Sequence, residues 1–183
     1  FFTPREVVKT ALHFVDPQPG QTIVDPACGS GGFLIYALEH IWQEMERSKK
    51  YKGIRDLDVE KKRVAEKCLF GIDKEIDLVK IAKAYMAIIG DGRGGVVQEN
   101  TLHLAEDFDG RAREIFVDKQ EGFRQFDVIL TNPPFGNKIK VLEDDAKHFD
   151  LGHVWKRERD GSRLMLLKKQ SRKYCSWSDA FNC

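Results

Sequence analysis

An α/β fold built on a mostly parallel sheet flanked by helices is what this sequence predicts, and three observations predict it. Short apolar or β-branched runs alternate with longer segments of helical periodicity. The first two of those runs end in Asp25 and Asp73, and the last leads into Asn132. A glycine-rich turn joins the first run to the helix that follows it. Helices lying between successive strands supply the crossovers that parallel pairing needs.

Taken in order, Thr3-Pro4-Arg5-Glu6 has the form of a capping box. Thr3 would be the N-cap and Pro4 the first helical residue, ahead of Val7, Val8, Ala11 and Leu12, which predicts a helix from Pro4 to about Val15. Pro17-Gln18-Pro19-Gly20 breaks it, and Thr22-Ile23-Val24 reads as a strand. After Gly32, the residues Phe33, Leu34, Ala37, Leu38, Ile41, Trp42 and Met45 recur at helical spacing until Arg47-Ser48-Lys49-Lys50. A second strand is predicted over Leu69 to Ile72. Ile76, Val79, Ile81, Ala82, Ala84, Tyr85, Ile88 and Ile89 then predict a largely buried helix, stopped by Gly90-Asp91-Gly92, with a third strand at Val96-Val97. A charged, weakly patterned stretch follows. Phe126 to Thr131 reads as a buried strand running into Asn132-Pro133-Pro134-Phe135, and the charged segment from about Lys138 to Lys169 reads as a loop or partly disordered. No internal repeat is visible.

Composition narrows the function classes. With 42% hydrophobic and 32% charged residues the chain fits one globular domain with a buried core. Lys plus Arg total 30 against 29 Asp plus Glu, so a net charge of +1 gives no chain-wide field for a polyanion; contact with nucleic acid must be local or supplied by a partner. Cys28, Cys68, Cys175 and Cys183 lack CxxC or regular spacing, so neither a metal site nor a disulfide framework is expected, and a reducing cytoplasm is the natural compartment. No apolar run approaches the roughly 20 residues that span a bilayer, so membrane insertion and export are not expected.

Two motifs carry chemistry. In Asp25-Pro26-Ala27-Cys28-Gly29-Ser30-Gly31-Gly32, small residues let a ligand approach the backbone, and the next helix presents unpaired N–H groups. The spacing matches neither G-x-G-x-x-G nor G-x-x-x-x-G-K-[ST]. An acid directly before the turn repels phosphate but suits a cation, such as the amino group of S-adenosylmethionine. Asp73 stands where a carboxylate can accept both ribose hydroxyl protons. In Asn132-Pro133-Pro134-Phe135, two prolines remove two N–H donors, which leaves carbonyls and the Asn132 amide oxygen as acceptors for an amino group. Adenine's exocyclic nitrogen needs such acceptors, because its lone pair is delocalised into the ring. Asn132 and the Pro133 carbonyl would accept its protons, and Phe135 would stack on a base flipped out of the duplex. Bland readings stay open beside these: a tight connection at the glycine turn, a rigid loop at the prolines.

DPACGSGG followed by NPPF resembles motifs I and IV of adenine-N6 DNA methyltransferases, and FFTPREVV ahead of them resembles motif X in its N-terminal arrangement. The resemblance runs from Phe1 to about Gln170 and implies the seven-stranded, Rossmann-like S-adenosylmethionine-dependent methyltransferase sheet. By that resemblance Thr3 and Pro4 would lie near the cofactor's methionyl carboxylate. Asp25, Pro26, Ala27, Gly29 and Gly31 would form the turn that holds it, with Asp73 at the ribose. The family generally has an acid after the third strand for the cofactor's adenine amino group; Asn100 stands there and can accept that bond without charge. The segment Leu151-Gly152-His153-Val154-Trp155-Lys156 resembles an insertion of type I modification subunits, which implies double-stranded DNA as substrate and specificity and restriction subunits as partners. Two alternatives are a protein-glutamine methyltransferase, whose loop is also Asn-Pro-Pro, usually with tyrosine next, and a non-catalytic methyltransferase remnant.

Both ends read as incomplete. Phe1-Phe2-Thr3-Pro4 starts without methionine inside an organised helix start. From Ser171 to Cys183 periodicity disappears where the family has an apolar helix, and a back-translation shifted to the third base reads PEILFLERCFQL. The expectation is a methyltransferase domain over residues 1–170 and an out-of-frame tail over 171–183.

Overall fold

The computed structural model describes residues 3–52, 56–90, 92–118 and 122–134, together with 145, 149, 156–157 and 163–164. The order of its main elements is α1 (Arg5–Val15), β1 (Ile23–Asp25), α2 (Gly32–Arg47), α3 (Leu57–Cys68), β2 (Leu69–Asp73), α4 (Ile76–Ile89), β3 (Val96–Gln98), α5 (Gly110–Phe116), β4 (Val117–Asp118), β5 (Gly122–Phe123), β6 (Val128–Ile129), β7 (Lys156–Arg157) and β8 (Arg163–Leu164). The chain divides into two compact units: Phe1–Thr101 with Phe126–Pro133, and Leu102–Gln125 with Pro134–Cys183.

The first unit holds a four-stranded sheet in the order β3-β2-β1-β6. All its pairings are parallel, in registers that set Ile23 opposite both Leu69 and Val128, and Gly71 opposite Val96. Successive side chains in a strand point to opposite faces. Ile23, Leu69 and Val96 join one core with Val8 and Leu12 of α1, Leu34, Leu38, Ile41 and Met45 of α2, Val64 of α3, and Val79, Ala82 and Met86 of α4. Burying a side chain of this size contributes roughly 1.5–3 kcal/mol. Val24, Phe70, Ile72 and Val97 alternate with them and are also buried, as expected of parallel strands covered on both faces. The Phe70 ring meets that of Phe126 at 5.3 Å.

Four details differ from the sequence reading. The N-cap of α1 is Pro4, which makes no side-chain cap; its carbonyl accepts from the Val7 and Val8 N–H groups at 3.0 and 3.2 Å. Thr3 therefore lies one position too early to cap, and its hydroxyl has another partner. Helix α4 buries only Val79, Ala82 and Met86, while Ile76, Ile81, Tyr85 and Ile88 are exposed: a helix apolar on every side still turns just one stripe towards the sheet. Two helices went unread. Helix α3 buries only Val64, Ala65 and Cys68 among many charges, and α5 spans 7 residues, too short for periodicity to show. The last strand of the first unit is shorter than the run over Phe126 to Thr131, covering Val128–Ile129.

In the second unit, β4 and β5 pair antiparallel, and the Phe108 ring meets Phe123 edge-on at 5.2 Å. The Arg113 guanidinium donates to the carbonyls of Glu106 and Phe108. Among the described residues of the charged segment read as a loop or partly disordered, Lys156 lies opposite Leu164 and Arg157 opposite Arg163 in an antiparallel pairing. Trp155 and residues 171–183 lie outside the described residues.

Candidate functional site

Because every strand of the sheet runs the same way, the carboxyl ends of β1, β2, β3 and β6 share one edge. The chain builds outward from β1 through β2 to β3, then returns to pair β6 on the other side of β1. Strand order reverses at that point, where ligands bind in open α/β sheets. Asp25 ends β1, and Asn132 lies just beyond β6.

The turn after β1 is fixed by hydrogen bonds to its neighbour strand. Cys28 N–H donates to the Ile72 carbonyl at 2.9 Å, and Gly31 N–H to the Cys28 carbonyl at 2.8 Å. Gly29 N–H donates to Asp73 Oδ2 at 2.8 Å, and Glu75 N–H to Asp73 Oδ1 at 2.9 Å. Asp73 thus ties the glycine turn to the start of α4 and still has lone pairs to spare. The turn ends in Gly31, the N-cap of α2, with φ 87° and no side-chain cap. A Cβ at Gly31 would lie 3.2 Å from that of Ala82, so both its conformation and its space require glycine.

Asp25 is 2% exposed. One of its oxygens accepts from Ala27 N–H at 3.1 Å. Burial pushes its pKa from 3.8 up to about 7; the Ala27 N–H and the Thr131 hydroxyl oppose that rise, and the Asp73 charge adds to it. Thr131 Oγ1 is buried and makes no fully formed hydrogen bond, so its influence on Asp25 is that of a nearby dipole. Burial, first, and the charges of Asp25 and Asp73 push the Cys28 thiol up. It stays protonated, which makes it packing and not a nucleophile.

A cleft of about 80 Å³ opens here, lined by Thr3, Asp25, Ala27, Cys28, Gly29, Ser30, Gly32, Phe33 and Asn132. The Asn132 Nδ2 donates to Thr3 Oγ1 at 3.0 Å. A roomier hollow of about 460 Å³ lies at the other end of α2, lined by Gln18, Pro19, Glu44, Arg47, Ser48, Lys50 and Tyr51; it is open and shares no residue with the strand ends.

Of the residues singled out from sequence, Thr3, Asp25, Ala27, Gly29 and Asn132 meet in this cleft. Asp73 joins it through Gly29. Asn100, two residues past β3, follows Glu99, whose N–H donates to the Asp73 carbonyl at 3.1 Å; Asn100 N–H itself donates to Glu99 Oε1. Pro26 and Gly31 are buried within the turn and do not line the cleft, and neither do exposed Pro4, half-buried Pro133 or exposed Pro134. Phe135 lies outside the described residues. Cys28, Ser30 and Gly32 also line the cleft; they lie within the glycine turn read from sequence but were given no role of their own there, and Phe33, just past the turn, was read only as part of the next helix.

An open parallel sheet with an acid at the first strand end, a glycine turn capping the next helix and a second acid one strand over makes up a Rossmann-like α/β fold with its site at the strand ends. The solved M.EcoKI structure shares this fold, with a TM-score of 0.55 over 74% of this chain and 25% of that one, at 24% identity. Residues 1–173 match the family described as N-6 DNA Methylase, and the chain belongs to that family. It is 28% identical over 137 residues to the type I restriction enzyme EcoEI methylase subunit of Escherichia coli, which covers 74% of this chain and 23% of that protein. A solved chain from a study of the assembly and conformational transition of the type I R-M system is 29% identical, with a TM-score of 0.57 over 81% of this chain and 26% of its own. This family membership displaces the glutamine-methyltransferase alternative. Among the described residues no cluster could hold a metal ion, and no helix is long and apolar enough to cross a membrane.

Proposed function

We propose that this chain carries the cofactor- and base-binding part of a type I modification enzyme, which transfers a methyl group from S-adenosylmethionine to N6 of adenine in DNA. One observation carries the reading: Asp25 and Asn132 line the same cleft where the strand order reverses, in a chain that belongs to the N-6 DNA methylase family.

The residues present fit that cofactor. Asp25 is buried beside Thr131 Oγ1, a buried polar atom that no protein group satisfies, and its spare lone pairs suit a cation. At about 80 Å³ the cleft is far smaller than the roughly 300–1,000 Å³ of small-molecule sites. It would therefore hold the methionyl end, leaving the nucleoside to the strand ends that carry Asp73 and Asn100. Bound S-adenosylmethionine supplies an activated methyl group on a sulfonium, and an ammonium for Asp25. Pro26, Ala27, Gly29 and Gly31 shape the turn against it, with Thr3 and Pro4 on the carboxylate side. Asn132 Oδ1 and the Pro133 carbonyl would accept hydrogen bonds from the two N–H groups of the target amino group, which would localise the nitrogen lone pair and make it a better nucleophile. Pro134 has no N–H of its own to compete. Partner specificity and restriction subunits would read and hold the double-stranded DNA, since the chain's own net charge is +1.

Transfer of labelled methyl to unmethylated DNA, with the specificity subunit present, tests this. Asn132→Ala should lower the rate by roughly 10²–10³-fold and shift S-adenosylmethionine affinity by less than about twofold. An equal loss of cofactor binding would place Asn132 at the cofactor and contradict its assignment to the base.

A further inference from the structure

We infer that Thr3 is a positioning residue that orients the Asn132 amide, an inference that rests on the proposed function. The side-chain amide of asparagine has an accepting and a donating end of nearly the same shape. At a site for an amino group the two ends are opposites: Oδ1 accepts a substrate proton, whereas Nδ2 would set donor against donor. Asn132 is exposed, so packing alone does not select between them. A contact across 129 residues of sequence holds the amide in one of the two arrangements: Asn132 Nδ2 donates to Thr3 Oγ1 at 3.0 Å. With the hydroxyl acting as acceptor, the donating end is turned to the protein and Oδ1 is left for the substrate.

Thr3 is suited to the task. Its hydroxyl is not used to cap α1, whose N-cap is Pro4, although its place in the sequence is that of a capping residue. Threonine's β-branch stiffens χ1, the proline ring after it fixes the next φ, and Val8 and Leu12 anchor the helix in the core. Both Thr3 and Asn132 line the Asp25 cleft, so the oriented amide lies beside the carboxylate proposed to hold the cofactor.

The test has two arms. In the transfer assay at saturating S-adenosylmethionine, where any change in cofactor affinity no longer limits the rate, Thr3→Val should lower kcat by roughly 10- to 100-fold, Thr3→Ala should do the same, and Thr3→Ser, which keeps the hydroxyl, should recover most of the rate. Unchanged kcat with weakened cofactor binding would make Thr3 a cofactor contact only and overturn the inference. In the second arm, NMR of the chain without ligand follows the Asn132 side-chain NH₂ pair, assigned by its loss in Asn132→Ala. Thr3→Val should move that pair towards its solvent-exposed position, and Thr3→Ser should not. A pair insensitive to Thr3→Val overturns the inference. Wild-type protein inert towards DNA would instead count against the proposed function, with the NMR arm still deciding the orientation of Asn132.

Discussion

A carboxyl group at the buried end of a strand must either find donors or hold its proton, and Asp25 accepts one hydrogen bond, from Ala27 N–H, with the Thr131 dipole nearby. Desolvation prevails, and the pKa rises from 3.8 to about 7. Between those values the folded state holds a proton that the unfolded state has released, so stability is greatest below pH 3.8 as far as this group is concerned and falls as pH rises through about 7. The full difference is on the order of a few kcal/mol. Chemical denaturation of ligand-free protein at pH 5 and pH 8 should show that fall, and Asp25→Asn should flatten it; a variant with the wild-type slope would assign the pH dependence elsewhere. Asp25 was legible from sequence because an acid followed by glycines after a β-branched run is a local pattern. Its pKa was not, since the causes are burial in the folded chain and the charge of Asp73, 48 positions on. The bond between Thr3 and Asn132 is equally a product of the tertiary structure, and local rules assigned Thr3 to a cap that Pro4 provides instead.

Elements were readable in proportion to how one-sided their chemistry is. Strands β1, β2 and β3 are short apolar runs buried almost throughout, and α2 places its apolar residues on one stripe, so pattern and structure agree. Helix α3 hides behind Asp, Glu, Lys and Arg. Helix α4 shows the reverse difficulty, with more apolar residues than buried ones. Packing at the turn is tighter than any pattern reveals: a Cβ on Gly71 of β2 would stand 2.7 Å from Leu34 Cδ1 and 3.1 Å from Cys28 Sγ. Gly71→Ala should therefore cost about 1–3 kcal/mol and weaken cofactor binding through the displaced Cys28, measured as a lowered Tm and a raised Kd. A Tm equal to wild type would show that the turn yields without cost.

At the scale of the whole molecule, the parallel sheet brings residues from widely separated parts of the chain to one edge: Thr3, Asp25, Asp73, Asn100 and Asn132 belong to segments that share no local sequence context. The chain spans 23% of the length of its Escherichia coli relative, and its four strands already include the point where strand order reverses. Of the proposed activities, cofactor binding is thus the one that would depend most directly on these residues, ahead of any DNA contact. Isothermal titration of the chain with S-adenosylmethionine, beside Asp25→Asn and Asn132→Ala, measures it. Saturable binding that weakens by about tenfold or more in Asp25→Asn and persists in Asn132→Ala is the predicted result. Folded wild-type protein that binds no cofactor, or Asp25→Asn that binds as tightly as wild type, would contradict the assignment of this cleft.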